Sequence, residues 1–139
     1  MTLALSTAVI NDRLQALTRA IDAGAGVGRL LIYDGTRPTT GAAITTQNLL
    51  VTQLFADPSA GSISGTTLTL TLGGSALASR TGNASWARIT DSAGTFVADM
   101  DAGASGSGKE VELSADGTPT TQLYEGGVVA ISLATLVEA

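Results

Sequence analysis

One stretch near the start of the chain has convincing helical periodicity, and it constrains the fold more than any other feature. Ser6 or Thr7 can cap a helix, because a hydroxyl accepts a backbone N–H that the first turn leaves free. Apolar side chains then recur at helical spacing, at Ile10, Leu14, Leu17 and Ile21. The sequence therefore predicts one amphipathic helix at about residues 7–23, preceded by a short apolar arm, Met1–Leu5.

Three glycines follow this helix, at Gly24, Gly26 and Gly28. Their G-x-G-x-G spacing suggests a phosphate-binding loop, but such a loop precedes its helix so that the helix N-terminus points at the anion. Here the order is reversed, which favours simple helix termination. The next segment, residues 29–33, is apolar on both faces, so it predicts a central strand between the sheet core and the helix.

Everything after Gly35 is typical of strands and loops. Strands are predicted at 29–33, 49–55, 66–72, 85–90, 95–100, 110–113 and 128–137. Turns or loops are predicted at 57–61, 73–83, 91–94, 103–108 and 116–119. This pattern predicts a mainly β protein: a single antiparallel β-sandwich or jelly-roll-like domain over residues 6–139, with about seven strands and one N-terminal helix.

The composition points away from several classes of partner. Charged residues make up 14% of the chain, against roughly 25% in typical domains, which indicates a surface partly covered by other proteins. The net charge of −5 and the absence of a basic cluster argue against nucleic acid. No apolar run approaches the length of a membrane span, and the N-terminus does not resemble a signal peptide. We therefore expect synthesis and assembly in a cytoplasm, with no membrane partner.

The sequence offers no catalytic, cofactor or metal constellation. It has no cysteine and no histidine, so the commonest general base and transition-metal ligands are missing. Asp99 and Asp101 could share a cation or act as a glycosidase pair. Exposed charge at a strand end explains them better, because no metal-loop spacing surrounds them. We predict that the protein is not an enzyme and binds no cofactor.

Five residues are candidates for a protein interface. Leu3 and Leu5 lie in the apolar arm, and Arg37 and Pro38 form an extended corner after the first strand. Trp86 is either an exposed interface anchor or a core residue. Arg88 shares the face of Trp86 by alternation, which favours a partly exposed strand face there.

Two stretches carry a family resemblance: LSTAVINDRLQALTRAIDAGAGVGRLLIYDGTRP at residues 5–38 and ASWARITDSAGTFVADMDAGASG at residues 84–106. They resemble a family of small virion-associated proteins encoded among the structural genes of tailed bacteriophages. Members open with a helix ending in a similar D-A-G-A-G segment, followed by an I-Y-x-G-x-x-P strand and turn. A hairpin similar to A-x-W-A-R-I-x-D-S-x-G comes later. These motifs fit fold-forming positions, so the resemblance transfers no functional residues.

The resemblance implies a capsid decoration, or cement, protein on the outside of the virion, with the major capsid protein and further copies of itself as partners. Capsids present two-fold and three-fold positions, and we favour a trimer over a dimer. Two other functions stay open. One is a neck or tail component of the virion. The other is a carbohydrate-binding module, for which Trp86, Tyr33 and Tyr124 are the candidate aromatic residues.

Overall fold

The computed structural model describes residues 3–137 and shows a mainly β chain with one helix in that range. Helix α1 spans Thr7–Ile21, as the periodicity predicts. The Ser6 hydroxyl accepts the Val9 amide at 3.3 Å, which confirms a cap at the predicted end. On the predicted apolar face Ile10, Leu14 and Ile21 are buried and Leu17 is half-buried.

The helix ends where glycine is sterically required. Gly24 has φ +94°, in the left-handed region that favours glycine. At Gly28 a Cβ would lie 2.5 Å from Ile21 Cγ2 and 2.7 Å from the Ile21 carbonyl oxygen. The chain therefore passes the end of α1 so closely that there is no room for a side chain at position 28. It then enters the first strand directly.

Eleven strands lie within the described residues. They are β1 Arg29–Tyr33, β2 Leu49–Ser64, β3 Thr67–Leu72, β4 Ala76–Leu77, β5 Gly82–Asn83, β6 Trp86–Thr90, β7 Phe96–Ala104, β8 Val111–Ala115, β9 Thr118–Pro119, β10 Gln122–Leu123 and β11 Val128–Val137. The expectation of about seven strands was therefore too low. The additional strands are two-residue pairings inside segments that the sequence predicts as loops or turns, or that it leaves unassigned.

Nine of these strands form one curled sheet in the order β4-β11-β3-β2-β1-β6-β7-β8-β9, and β5 pairs with β10 separately. β1 lies in the middle, between β2 and β6, as predicted. The expectation that α1 covers its other face is wrong, because Ile10, Leu14 and Ile21 of α1 pack in the same core cluster as Leu30 and Ile32 of β1. β11 pairs with β3 through its last residues and with β8 through its earlier ones, so the sheet curls back on itself. The predicted two-sheet sandwich is not confirmed, because the large sheet is continuous.

Segment 57–61, predicted as a turn, is instead part of β2. The Asp57–Pro58 peptide bond is cis, and the pairing with β3 shifts register before and after Ala60. Gly61 faces β3 so closely that a Cβ would lie 2.2 Å from the Thr69 carbonyl oxygen. The turn-forming residues are thus absorbed by bulges, which insert extra residues without ending the strand.

Two further expectations about the second half need correction. β7 continues to Ala104, so it takes up the start of the predicted loop at 103–108. β8 then pairs with β7 in parallel, so the sheet is mixed and not wholly antiparallel. By contrast, the antiparallel β6–β7 hairpin around 91–94 is confirmed.

The core lies between the walls of the curled sheet and under α1. It is built mainly of aliphatic side chains, with Phe55 as its large aromatic residue. In β3, Leu68 and Leu70 are buried as the alternation predicts. In β11, Val129 is buried and Ile131 packs half-buried against the core.

Candidate interaction surface

The connection between β1 and β2, residues 34–48, runs across the outside of the sheet, and we call it the strap. Both of its ends are fixed by Asp34, whose carboxylate accepts the Asn48 amide at 2.6 Å and the Asn48 side-chain N–H at 3.1 Å. Ser85 donates its hydroxyl to the Gly35 carbonyl oxygen. These bonds close a fifteen-residue connection at its base, so the segment between them has a defined path.

Trp86 lies beneath the base of the strap and is 1% exposed. Its ring stacks on Tyr33 with centroids 4.7 Å apart, and its Nε1–H donates to the Asp34 carbonyl oxygen at 3.0 Å. The hypothesis that Trp86 is an exposed interface anchor is therefore wrong, and burial is correct. Tyr33 and Trp86 belong to a small aromatic cluster under the strap that is separate from the main core cluster of the described residues.

Arg88, two residues further along β6, forms a buried ion pair with Asp99 of β7. Arg88 Nε and Nη2 donate to the two carboxylate oxygens at 2.7 and 3.0 Å, and the side chains are 10% and 1% exposed. The guanidinium carbon lies 5.4 Å from the ring centroid of Trp86 and 5.2 Å from that of Phe96. The planar guanidinium of Arg88 is thus held by a bidentate carboxylate and by two aromatic rings.

The strap closes over this pair. The Gly41 amide donates to Asp99 Oδ2 at 3.1 Å, and a Cβ on Gly41 would lie 3.3 Å from Phe96 Cε1. Asp99 is therefore not the exposed strand-end charge that the sequence favours. Its ion-pair partner is Arg88 on the neighbouring strand, and the Gly41 amide of the strap donates the remaining hydrogen bond to its carboxylate.

The ionisation states of the cluster follow from these contacts. Burial raises the pKa of Asp99, but the hydrogen bonds from Arg88 and from the Gly41 amide outweigh it, and the pKa lies below its ordinary value. The hydrogen bond to Asp99 raises the pKa of Arg88, against the effect of burial. Burial raises the pKa of the Tyr33 phenol, opposed by the positive charge of Arg88. The cluster thus combines an ionised pair with a neutral phenol.

The other interface candidates divide into two groups. Arg37 Nη1 lies 3.3 Å from Asp101 Oδ1, with both side chains nearly half exposed, and Pro38 beside it is half-buried. The structure therefore brings Arg37, Pro38 and Trp86 into one region. Leu3 is 77% exposed, whereas Leu5 packs against the core. Met1 and Thr2, the rest of the predicted arm, lie outside the described residues.

A second surface was not predicted from the sequence. Leu54, Leu77, Tyr124 and Val128 are 46, 59, 66 and 45% exposed. Leu77 and Val128 are paired across β4 and β11, and Leu54 and Leu77 line one groove of about 200 Å³. Tyr124 begins the turn whose Gly127 carbonyl accepts the Ala78 amide, directly after β4. We call these four residues and their adjoining grooves the open face.

The open face has a second groove of about 140 Å³, which shares Gln53, Gly74 and Ser75 with the first. Among the described residues that line either groove, none carries a charge. The sequence carries no local signal for this surface. Residues 49–55 are apolar on both faces of the strand, which is typical of burial on both sides, and Leu50 and Val51 are buried whereas Leu54 is exposed.

A groove of about 450 Å³ lies between α1 and strands β2 and β3. Ile63 and Leu68 provide its apolar side, and Gln15, Thr18 and Arg19 provide its polar side. It is open to solvent and presents one charged group. Its three polar side chains all come from α1, so they do not converge from several elements as the polar groups of a small-molecule site commonly do.

Within residues 3–137, no three His, Cys, Asp or Glu side chains come together in a way that could hold a metal ion. In the same range no helix combines the length and the apolar character needed to cross a membrane.

Comparisons with protein families, with curated proteins and with solved structures found no match.

Proposed function

We propose that this chain is a non-enzymatic structural protein of a bacteriophage virion, and specifically a capsid decoration protein. It would bind the outside of the shell formed by the major capsid protein and stabilise that shell. The proposal starts from the resemblance carried by residues 5–38 and 84–106. One structural observation supports it: large apolar side chains are exposed beside two grooves whose described lining residues carry no charge, and clustered apolar exposure is typical of a protein contact.

A decoration protein needs a rigid body that presents contact surfaces, and it needs no chemistry of its own. The curled sheet supplies such a body, since its opposite walls pack on one core under α1. The proposal therefore does not depend on the predicted sandwich. The clamped strap supports it as well, because Asp34, Asp99 and Asp101 hold an exposed connection in one conformation.

The apolar arm is the segment that we assign to the shell. Leu3 is the most exposed of the large hydrophobic residues that the structure describes. Leu5 packs on the core and so fixes where the arm leaves the domain. Because Leu3 is exposed on a short segment, its side chain would become buried only against a partner. Segments that become ordered on binding behave in this way.

The copy number of the protein in purified particles is the experiment that tests this function. We expect a ratio to the major capsid protein near one. A ratio of a few per cent would contradict decoration and support the alternative of a ring in the neck or tail. The carbohydrate-binding alternative loses support, because Tyr33 and Trp86 are stacked and buried, which leaves Tyr124 exposed among its three candidates.

The arm can be tested by binding to particles that lack the protein. Deleting Met1–Leu5 should leave a folded domain that binds more weakly, and Leu3→Asp isolates the exposed leucine. We expect Leu3→Asp to weaken binding by about tenfold or more, since a central apolar contact contributes more than 1 kcal/mol. Val9→Asp, at an exposed position on α1, is the matched control and should bind normally. Equal binding by all variants would remove the arm from the contact.

A further inference from the structure

The dipeptide Asp–Gly occurs twice in this chain, at residues 34–35 and 116–117. In this dipeptide the side-chain carboxyl group of the aspartate can react with the following backbone nitrogen, because glycine has no side chain that hinders their approach. The two copies lie in different environments. One is at the base of the strap, and the other is the turn between β8 and β9.

The turn at residues 116–117 holds its aspartate in a conformation that favours glycine. Asp116 has φ +50° and Gly117 has φ +79°, and Ala115 pairs with Thr118 across them. The two residues therefore form a two-residue hairpin loop in which both are left-handed. Within residues 3–137, Asp116 is the one residue other than glycine with a positive φ. Such a conformation is strained for a residue that carries a Cβ.

This turn is also exposed and lies at the edge of the sheet. Asp116 and Gly117 are both exposed, and a Cβ on Gly117 would lie more than 4 Å from every described atom beyond its chain neighbours. β9, which follows the turn, is two residues long and is the last strand of the sheet, where it pairs with β8. Short edge elements open locally at a low cost in free energy, without unfolding of the domain. The Asp116 side chain can therefore rotate toward the Gly117 nitrogen.

The turn at residues 34–35 differs, because the groups that would have to move are held by hydrogen bonds. The Asp34 carboxylate accepts the backbone and side-chain N–H groups of Asn48, at 2.6 and 3.1 Å. The Asp34 carbonyl oxygen accepts the indole N–H of the buried Trp86 at 3.0 Å. Rotation of the Asp34 side chain breaks the first two bonds, and rotation of the following peptide group breaks the third. These bonds therefore protect Asp34 from the reaction.

We propose that residues 116–117 are a modification site, at which Asp116 isomerises to isoaspartate. The Gly117 nitrogen attacks Cγ of the protonated Asp116 carboxyl group, an N–Cγ bond forms, and the amide proton leaves with the hydroxyl group as water. Water then adds to the backbone carbonyl carbon of Asp116 and breaks its bond to the nitrogen. The main chain now runs through Cβ and Cγ, and the α-carboxylate is free. One water is lost and one is regained, so the reaction needs no other reactant. It is independent of the proposed function.

Incubation of the folded protein at mildly acidic pH, followed by tryptic digestion and electron-transfer mass spectrometry, tests the site. Trypsin separates the two dipeptides because it cleaves after Lys109, so isoaspartate is measured at each position. We expect isoaspartate at residue 116 to exceed that at residue 34 by about tenfold or more, since the hydrogen-bonded Asp34 reacts only after local opening. A parallel incubation in urea is the control. There both turns are unfolded, and the two positions should react at similar rates.

Asp116→Asn provides a second measurement, because Asn–Gly suits the same two-residue hairpin loop. The variant should lose ammonia and gain water at this position, and the change from amide to acid is detected by mass. Equal amounts of isoaspartate at residues 34 and 116 in the folded protein would overturn the proposal. So would its absence at residue 116 over a time in which the unfolded chain forms it, or an Asp116→Asn variant that keeps its amide over that time.

Discussion

The strap region and the open face both carry large side chains on the outside of one sheet, and they differ in what covers them. Under the strap, Trp86, Arg88 and Asp99 meet hydrogen-bond or stacking partners within the chain, and the strap seals them from water. On the open face, Leu54 and Leu77 border unfilled grooves. The side chains of the first region are buried by the chain itself, whereas those of the second remain exposed to solvent.

The two regions also differ in charge, and this difference has a physical basis. A buried ion pair is tolerable under the strap because Asp99 accepts three hydrogen bonds, from Arg88 Nε, Arg88 Nη2 and the Gly41 amide. The grooves of the open face are lined by described residues without charge, so their exposure to solvent leaves no buried charge without a partner.

Removing one member of the buried pair should have the largest effect on the monomer. Arg88→Ala leaves the Asp99 carboxylate buried with the Gly41 amide, and we expect a loss of about 3 kcal/mol in the free energy of unfolding. Urea denaturation measures it. The control is Asp101→Asn, which breaks the exposed pair with Arg37 and should cost about 0–1 kcal/mol. Equal losses in the two variants would mean that the strap does not exclude water from the pair.

The indole N–H of Trp86 should contribute the next largest effect. Trp86→Phe keeps an aromatic ring against Tyr33 but leaves the Asp34 carbonyl without that donor, at a cost of about 1–2 kcal/mol in unfolding free energy. Tyr124→Phe on the open face is the matched aromatic control and should change the free energy by less than about 0.5 kcal/mol. An unchanged unfolding free energy in Trp86→Phe would show that ring stacking alone holds the base of the strap.

Acidification should weaken the strap region in a defined direction. Since the folded-state pKa of Asp99 is lowered from its model-compound value of 3.8, the unfolded chain binds more protons at acidic pH. The stability that Asp99 contributes is fully present above about pH 4 and is lost as the pH falls toward the lowered pKa. Asp99→Asn should therefore show a shallower loss of unfolding free energy below pH 4 than the wild type. The lowered pKa of Asp91, caused mainly by the Thr95 amide, affects both proteins equally. Parallel pH profiles for the two proteins would contradict the ionised pair.

The smallest effect on the monomer is expected on the open face. Leu77→Ala should change the unfolding free energy by less than about 0.5 kcal/mol when measured at low concentration, because its side chain is mostly exposed. Leu113→Ala, at a fully buried position in β8, is the matched control and should cost about 3 kcal/mol. A large loss for Leu77→Ala in the monomer would show that the open face is part of the core.

The elements that could be predicted are those with a strong local signal. α1 and its Ser6 cap, the central strand β1, the alternating strand β3 and the β6–β7 hairpin all occur where the pattern indicates them. In each case the periodicity and the turn residues agree over a short stretch. The same local chemistry misled at 57–61, because bulges keep those turn-forming residues inside β2, paired with β3.

The interface candidates show the same limit. Arg37 and Pro38 were assigned to one corner and Trp86 to a distant strand, and the structure brings them together under and along the strap. The partner of Asp99 was missed, although Arg88 and Asp99 flank a predicted hairpin. Pairing register, which decides that these two side chains meet, is not readable from either strand alone.

The sequence by itself determined the helix, its glycine stop, the predominance of strands and the absence of histidine and cysteine from the chain. Only the tertiary structure decided that β11 joins β3 to β8, that β7 and β8 run parallel, and that Trp86 is covered while Leu54 and Leu77 are not. The physical reason is the range, along the chain, of the interactions that decide each feature. Caps, periodicity and turn conformations depend on neighbours within a few residues, whereas burial depends on which distant strands pair and in what register.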